Sequence, residues 1–364
     1  MRWHLYNSGE FGYHCKAGAK LMNKDEQYIT RAFDLAINGI GKVSPNPLVG
    51  CVIEHNDTII GEGWHQYYGG PHAEVNAINN VKNKQLLPES TVYVTLEPCA
   101  HFGKTPPCAD LLVKHKVKKV VIANIDPNPL VGGKGIEKLE NAGIEVVTGI
   151  LEEKGLEINK RFFTGLKHKR PYIILKWAQT QDGFVARKNY DSKWISNEHS
   201  RKLVHKWRSE EDAIMIGTNT AQYDNPKLNV RAWEGRNPVR IVIDKQLRLP
   251  ETLKLFDHNQ YTLCYNLIKN EEAELLTYVK LEENNFIEAL LHNLYERDLR
   301  SVIVEGGSML LNTFIDKGLW DEALVFSSQQ TFEEGIETPD INGLVEVKEV
   351  AGDKLLIYKN LRNG

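Results

Sequence analysis

Three residues in the first third of the chain have the side chains and the setting of metal ligands. His72 begins the sequence His-Ala-Glu, while Cys99 and Cys108 each follow a proline. One imidazole and two thiolates suit zinc, and three protein ligands leave a fourth position open for water, as in catalytic zinc sites. Glu74 stands two residues after His72, so its carboxylate can carry a proton to and from that water. These residues predict a catalytic zinc centre.

A closed structural zinc is the alternative interpretation of the same residues. It would need a fourth protein ligand, for which His101 and His65 are candidates. A binding protein stabilised by zinc, without turnover, would carry such a site. Glu74 argues against both alternatives, because a closed site has no use for its carboxylate.

The elements that must position these residues alternate between helix and strand. From 22 to 168 the pattern predicts strands at 48–54, 58–64, 91–95, 119–124 and 145–148, and helices at 24–39, 72–81, 107–116, 134–142 and 152–167. His72 would begin a helix and Cys99 would follow a strand. Such alternation predicts a sheet covered by helices. A basic segment that ends in proline, 167–171, indicates a junction.

A second α/β unit is predicted after this junction. Its strands are expected at 172–177, 213–216, 239–243, 261–265, 302–304 and 323–326, and its helices at 199–210, 284–296 and 308–317. Gly306 and Gly307 lie between an apolar strand and an apolar helix, where backbone amides can approach a pyrophosphate. The pair is weak evidence by itself, and without G-x-G-x-x-G it does not predict a Rossmann fold.

Composition limits the class of protein. A chain of 364 residues, 41% hydrophobic and 26% charged, is typical of a soluble globular protein with two domains. Its net charge of -3 argues against a nucleic-acid scaffold. Its five cysteines are too few and scattered for a disulfide framework, which favours a reduced, cytoplasmic setting. Residues 1–21 lack helical or strand periodicity and are interpreted as an N-terminal extension.

Three motifs resemble the bifunctional deaminase–reductase family of riboflavin biosynthesis. They are Asn46-Pro47 with Val49-Gly50, His72-Ala73-Glu74, and the run Leu-Glu-Pro-Cys-Ala-His-Phe-Gly-Lys-Thr-Pro-Pro-Cys that ends at Cys108. Eight residues separate the two cysteines, whereas the general signature of zinc nucleobase deaminases has two. This long spacing distinguishes the family from cytidine, guanine and tRNA adenosine deaminases. The resemblance continues through Asp126-Pro127-Asn128-Pro129 and covers almost everything from 22 to 330.

The resemblance implies a fold and an activity. It implies a cytidine-deaminase-like α/β/α domain over 22–168, followed by a dihydrofolate-reductase-like α/β domain over 169–364. The first would hydrolytically deaminate 2,5-diamino-6-(5-phosphoribosylamino)pyrimidin-4-one, and the second would use NADPH to reduce the ribosyl group to ribityl. The expected partner is this small phosphorylated pyrimidine, with no nucleic acid or membrane. A cytoplasmic homo-oligomer, dimer or tetramer, is expected.

The resemblance also assigns roles to individual residues. It places His72, Cys99 and Cys108 on one Zn²⁺ and makes Glu74 the catalytic proton carrier. Implied substrate contacts are Asn46, His65, Lys104, Asp126 and Asn128 in the first domain, and Lys176, Ser192, Arg208, Leu228, Arg231 and Glu305 in the second. Implied NADPH contacts are Ala178, Asp182, Trp194, Thr220, Asp224, Gly306, Gly307 and Ser308.

Two alternatives concern function rather than zinc. A nucleic-acid-editing deaminase would need a basic channel with stacking aromatic residues, and the balanced charge argues against it. A chain with only one active half is the other alternative, although both sets of motifs look complete. The stretch 329–364 matches little in the family, and Glu333, Glu334, Glu337 and Asp340 are interpreted as a solvated acidic loop.

Overall fold

The structure of this protein is a computed structural model that describes residues 22–101, 106–128, 132–189 and 195–361. The predictions for residues 1–21, Lys104, Ser192 and Trp194 lie outside these ranges. Within them, no helix is both long enough and apolar enough to cross a membrane.

A five-stranded sheet forms the centre of the N-terminal unit. Its strands are β1 (Gly50–His55), β2 (Thr58–Trp64), β3 (Thr91–Leu96), β4 (Lys119–Asn124) and β5 (Glu145–Thr148). They lie in the order β2-β1-β3-β4-β5. Strand β1 runs antiparallel to β2 and β3, whereas β3, β4 and β5 are parallel. The carboxyl ends of β3 and β4 therefore meet at one edge of the sheet, where polar residues follow both strands.

Within the described ranges this unit has six helices, and the first five of them cover the two faces of the sheet. The six are α1 (Lys24–Ala36), α2 (Ala73–Asn80), α3 (Cys108–Lys114), α4 (Lys134–Asn141), α5 (Glu152–Ile158) and α6 (Lys160–His168). Alternate strand residues point to opposite faces, so Val94 packs in the cluster that includes α2 and α3, while Tyr93 packs in the cluster that includes α1. Gly50 allows α1 to lie close to β1, because an added Cβ would be 1.9 Å from the Ala32 carbonyl oxygen.

A ten-stranded sheet forms the C-terminal unit. Its order is β11-β12-β10-β9-β8-β13-β6-β14-β17-β16. The central strands, from β12 to β14, are parallel, and the outer pairs β11-β12, β14-β17 and β17-β16 are antiparallel. Strands β7 and β15 pair separately. The strands are β6 (Tyr172–Gln179), β7 (Phe184–Ala186), β8 (Ala213–Gly217), β9 (Val239–Ile243), β10 (Thr262–Asn266), β11 (Glu271–Glu272), β12 (Leu276–Lys280), β13 (Ser301–Val304), β14 (Glu322–Ser327), β15 (Ile336–Glu337), β16 (Leu344–Val350) and β17 (Asp353–Lys359).

In the described part of this unit, four helices pack on the second sheet. They are α7 (Glu198–Glu210), α8 (Thr218–Asp224), α9 (Phe286–Glu296) and α10 (Ser308–Asp316). Leu290 of α9 and Phe314 of α10 belong to one buried cluster with Leu175. Val204 of α7 packs with Ile174 in another cluster. Helices therefore cover both faces, and the carboxyl ends of the parallel strands are left at one edge.

All predicted strands are present, and the helices differ from prediction in two places. The single helix predicted over 152–167 is wrong: it is divided into α5 and α6 at Asn159. The Asn159 side chain bonds both the amide and the carbonyl of Leu48, at 2.7 and 2.9 Å, and its backbone leaves the helical conformation. Helix α8 was not predicted. The acidic residues of 333–340 are exposed as expected, but Glu337 ends strand β15.

Candidate active sites

His72, Cys99 and Cys108 converge beside the first sheet. Their ligand atoms all lie within 4.8 Å of one another. The His72 Nδ1 atom is 3.6 Å from Cys99 Sγ and 3.3 Å from Cys108 Sγ. Tetrahedral zinc with ordinary Zn–N and Zn–S bonds needs an N to S separation of about 3.6 Å. The donor set and its spacing therefore fit zinc.

Local structure explains why these three side chains meet. His72 is the N-cap of α2, Cys108 is the first residue of α3, and Cys99 follows β3. The Cys108 backbone amide donates to Cys99 Sγ at 3.3 Å. Hydrogen bonding by the Cys108 thiol lowers the pKa of the Cys99 thiol; burial opposes this shift, and His72 adds to it. A thiolate is the form that binds metal.

Glu74 lies in the first turn of α2 beside the cluster but is not one of its three members. It is 3% exposed. Burial raises the pKa of the Glu74 carboxyl to about 7, although His72 acts in the opposite direction. A buried carboxyl group beside a metal cluster has the position of a proton carrier rather than a ligand.

His65 orients Asn46 and has no free nitrogen for a metal. Its Nδ1 lies 3.0 Å from the Pro71 carbonyl oxygen, so this nitrogen donates. Its Nε2 therefore accepts from Asn46 Nδ2, at 3.1 Å. Burial lowers the pKa of His65, which is consistent with a neutral ring. His101 is exposed, so neither candidate for a fourth ligand belongs to the cluster formed by the described residues.

Glu97 holds the loop that carries Asp126 and Asn128. Its Oε2 accepts from the amides of Asp126 and Gly133 at 3.2 and 2.9 Å, and its Oε1 accepts from Gly135 at 2.8 Å. The Asp126 side chain in turn accepts from the Asn128 amide at 2.9 Å. Glu97 is 6% exposed, so these backbone donors satisfy a buried charge. Two of the predicted substrate residues are thereby fixed next to the cysteine segment.

In the second unit, Lys176, Arg208 and Glu305 form a buried ionic cluster. Arg208 donates twice to the Glu305 carboxylate, at 2.8 Å each, and Lys176 Nζ lies 3.6 Å from Glu305 Oε2. Burial alone would raise the pKa of Glu305, but Arg208 and Lys176 lower it to about 2. Burial lowers the pKa of Lys176. The cluster lies at the carboxyl end of β13 and beside Lys176 within β6, and the carboxyl ends of parallel strands are the usual place for a site in an open α/β sheet.

Arg231 and His205 lie near this ionic cluster, and Leu228 is another predicted substrate contact of the second unit. Arg231 is exposed and bonds Asn229 Oδ1 at 3.3 Å. His205 is buried, and burial followed by Arg208 and Arg231 lowers its pKa to about 4. Leu228 is also buried, among apolar residues that include Ile214. Among the described substrate contacts predicted for this unit, Arg231 is thus the positively charged residue whose side chain is exposed.

Several of the residues predicted to contact NADPH lie around the start of α10. The Gly307 amide donates to Thr220 Oγ1 at 3.0 Å, and Ser308 begins α10. An added Cβ at Gly307 would meet only Thr220, at 3.7 Å, so a ligand has room to approach this backbone. The Asp182 carboxylate accepts from the amides of Phe332 and Glu333 at 3.0 and 2.8 Å. Ala178, Asp224 and Gly306 lie on β6, at the end of α8 and before α10 respectively. The strand ends and the α10 N-terminus fit the pyrophosphate of NADPH.

Sequence patterns indicated no role for Glu97, Asn159 or Asp212. Glu97 belongs to the motif that contains Cys99. Its position directly before Pro98 and Cys99 is the sequence feature that could have indicated a role. Asn159 lies within a helical sequence pattern, and nothing in that pattern distinguishes it from its neighbours. Asp212 lies 168 residues from its partner Ser44, a distance that no local pattern spans.

Two protein-family models match this chain, one in each of the two units. Residues 22–124 match the cytidine and deoxycytidylate deaminase zinc-binding region, and residues 171–328 match the RibD C-terminal domain. A riboflavin biosynthesis protein RibD from Aquifex aeolicus is 40% identical over 331 residues, which are 89% of this chain and 92% of that protein. The chain belongs to the RibD family. Another RibD, from Actinobacillus pleuropneumoniae, is 42% identical over 306 residues, 81% of each chain.

Solved structures of the RibD family share this arrangement. A Thermotoga maritima protein described as a diaminohydroxyphosphoribosylaminopyrimidine deaminase/5-amino-6-(5-phosphoribosylamino)uracil reductase is 38% identical, with a TM-score of 0.84, and the match covers 92% of this chain and 98% of that one. The predicted fold class is confirmed: a cytidine-deaminase-like domain precedes a RibD reductase domain. The chain is a riboflavin-biosynthesis deaminase and reductase, and the predicted cofactors, Zn²⁺ and NADPH, are those of its two domains.

Proposed function

We propose that the first unit deaminates 2,5-diamino-6-(5-phosphoribosylamino)pyrimidin-4-one by hydrolysis, and that the second reduces the ribosyl group of the product to a ribityl chain. The observation that carries this proposal is the buried Glu74 beside the His72, Cys99 and Cys108 cluster, on the same chain as the Lys176–Glu305–Arg208 cluster. The two activities in the name of the Thermotoga maritima relative support it.

At the first site, His72, Cys99 and Cys108 would hold the metal. When bound, Zn²⁺ supplies Lewis-acid activation of a water by lowering its pKa to about 7. The Glu74 carboxylate would move a proton from the attacking water to the leaving amine. Asn46 keeps its amide oxygen and one N–H for the pyrimidine ring, since the other N–H bonds His65.

The remaining contacts of the first site complete substrate binding. Asp126 and Asn128 approach the ring from the loop that Glu97 holds. Lys104 is proposed as the contact for the ribose phosphate, since lysine acts as a point charge for phosphate.

At the second site, Lys176 and Glu305 contact the sugar and Arg208 orients Glu305. When bound, NADPH supplies the hydride for C1 of the ribosyl group. Arg231, whose guanidinium is exposed, meets the phosphate. The other proposed substrate contacts are Ser192 and Leu228. The proposed NADPH contacts are Ala178, Asp182, Trp194, Thr220, Asp224, Gly306, Gly307 and Ser308.

We also propose the limits and setting of the two activities. The deaminase domain comprises 22–168 and the reductase domain 169–364, with 1–21 as an extension. The end of α6 at His168 and the start of β6 at Tyr172 support this division. We also propose that the protein is cytoplasmic and forms a dimer or tetramer of identical chains. It is proposed to bind neither nucleic acid nor membrane.

The proposed deamination is tested without NADPH. Purified protein should release ammonia from the diaminopyrimidine phosphate, and removal of zinc by a chelator should stop this release until zinc is restored. Ammonia release that survives complete removal of the metal would refute the role of the cluster. No release from this pyrimidine, with release from cytidine nucleotides instead, would refute the substrate.

A further inference from the structure

The loop that carries Asn46 is anchored on the C-terminal unit. Ser44 Oγ donates to Asp212 Oδ2 at 2.6 Å, although 168 residues separate the two. Asp212 directly precedes β8 and is 3% exposed. Its carboxylate also accepts from the Arg300 amide at 2.7 Å and from Arg236 Nη2 at 2.6 Å. The Ser44 hydroxyl is thus one of three donors around a buried charge.

Two further contacts hold the two ends of the segment that contains Ser44. Gly41 lies against the C-terminal turn of α7, where an added Cβ would be 2.7 Å from the Ser209 carbonyl oxygen. At the other end of the loop, Asn159 holds both backbone polar groups of Leu48. The segment 41–48 is therefore fixed at its beginning by the C-terminal unit and at its end by the connection between α5 and α6.

This segment forms part of the wall of the deaminase site. Asn46 stands two residues after Ser44 and donates to His65 Nε2 at 3.1 Å. The ring of His65 lies 5.6 Å, centroid to centroid, from the ring of His72. A displacement of the segment would therefore move the amide of Asn46 relative to the metal cluster.

We propose that Asp212, a residue of the reductase unit, is a positioning residue for deamination: through Ser44 it fixes the loop that presents Asn46 to the pyrimidine. This inference rests on the proposed function of the first site. Asp212 acts on substrate binding and takes no part in proton transfer. Loss of its contact with Ser44 should therefore raise KM with little change in kcat, the pattern of lost uniform binding.

Ser44→Ala in the full-length, zinc-loaded protein is the direct test. Asp212 keeps its other two donors in this variant, so the buried charge stays satisfied. Loss of one hydrogen bond should raise the KM for deamination about 3- to 10-fold and change kcat less than about twofold. NADPH oxidation on the deaminated substrate should be unchanged. Ser44→Thr retains the hydroxyl and should restore KM.

Hydrogen exchange gives a second measurement that needs no substrate. Backbone amides of 41–48 should exchange faster in Ser44→Ala than in the wild type. Lys359→Ala is the matched control, because it removes an ion pair between the same two units, Lys359 with Glu157 at 2.9 Å, at a position away from the loop and from Asn159. This control should leave both the KM for deamination and the exchange of 41–48 unchanged.

Three results separate the possibilities. Wild-type KM and wild-type exchange in Ser44→Ala would overturn the inference and leave the proposed function standing. Equal losses of deamination and reduction would also overturn it, because they would show that the contact only holds the two units together. Failure of the wild type to deaminate the pyrimidine would refute the proposed function instead, whatever the exchange of 41–48 shows about the anchor.

Discussion

Arg208 of α7 and Glu305, the residue after β13, form two hydrogen bonds of 2.8 Å with each other. Both side chains are nearly buried, with exposed fractions of 11% and 12%. An arginine paired in this way is already engaged by a carboxylate of the protein. It therefore orients Glu305 beside Lys176, whereas Arg231 remains available to a phosphate.

The two arginines should consequently differ when each is replaced by alanine. Arg208→Ala leaves a buried carboxylate poorly paired, so reduction should fall about 10- to 150-fold, the equivalent of about 1.5–3 kcal/mol, for phosphorylated and dephosphorylated substrates alike. Arg231→Ala should weaken only the phosphorylated substrate. NADPH oxidation with both substrates measures this difference. A loss in Arg208→Ala confined to the phosphorylated substrate would contradict the account.

The zinc ligands are tested by metal content. Cys108→Ser replaces a soft thiolate with a hydroxyl, which zinc binds poorly. We expect about one zinc per wild-type chain and a large loss in the variant, measured by elemental analysis after dialysis. Cys51→Ser, a change at a buried cysteine on β1 that is not one of the three ligands, is the control and should retain zinc. Undiminished zinc in Cys108→Ser would remove this residue from the ligand set.

Glu74→Gln separates metal binding from chemistry. Glutamine has the shape of glutamate but cannot carry the proton, so deamination should fall by roughly 10²- to 10⁴-fold while zinc stays bound. Ammonia release and zinc content measured on the same preparation give both values. Deamination at the wild-type rate would show that another group moves the proton.

Glu97→Gln should disturb the loop of Asp126 and Asn128. The carboxylate accepts four backbone amides, from Asp126, Gly133, Gly135 and Ile136, and an amide side chain can accept at only one of its two positions. We expect a loss of about 2–3 kcal/mol in the free energy of unfolding and a higher KM for deamination. Denaturant unfolding measures the first. Glu137→Gln, the same change at an exposed position of α4, should have no such effect; a similar loss there would reject the explanation.

His205 predicts a specific dependence of stability on pH. Its pKa is lowered from 6.5 to about 4 in the folded protein, so between these values the unfolded state binds the proton and the folded state does not. Stability should therefore fall as pH decreases from 6.5 to 4, by about 2–3 kcal/mol from this residue. The lowered pKa of Glu305 adds a loss only below pH 4.5. The raised pKa of Glu74 acts with the opposite sign between pH 7 and 4.5, so the test is a comparison of two proteins. As pH falls from 6.5 to 4.5, the free energy of unfolding should decrease less in His205→Gln than in the wild type, and equal slopes for the two proteins would contradict this.

The sequence predicted most of the fold because the central strands are continuous apolar runs. It missed α8, in which only Ala221 is buried, because a helix with so small an apolar face has no periodic pattern. It also missed six strands of the second unit, of which β16 is almost entirely exposed; the six are β7, β11, β12, β15, β16 and β17. The order of ten strands could not be predicted, since parallel partners such as β6 and β13 lie more than 100 residues apart.

The two sites differ in how far the sequence predicted them. The metal cluster was predictable because its ligands are residues of distinctive chemistry in two short motifs. The pairing of Arg208 with Glu305 was not, because the fold joins residues 97 positions apart. Glu97 was overlooked for another reason: its partners are backbone amides, which no pattern of side chains marks.

We propose that one chain carries out deamination and then reduction at separate sites. The most direct measurement supplies the wild-type protein with the diaminopyrimidine phosphate and NADPH, and follows ammonia and NADPH in the same reaction. The account predicts one ammonia released per NADPH oxidised, with ammonia appearing first and continuing to appear when NADPH is omitted. Oxidation of NADPH on this substrate without release of ammonia would contradict it.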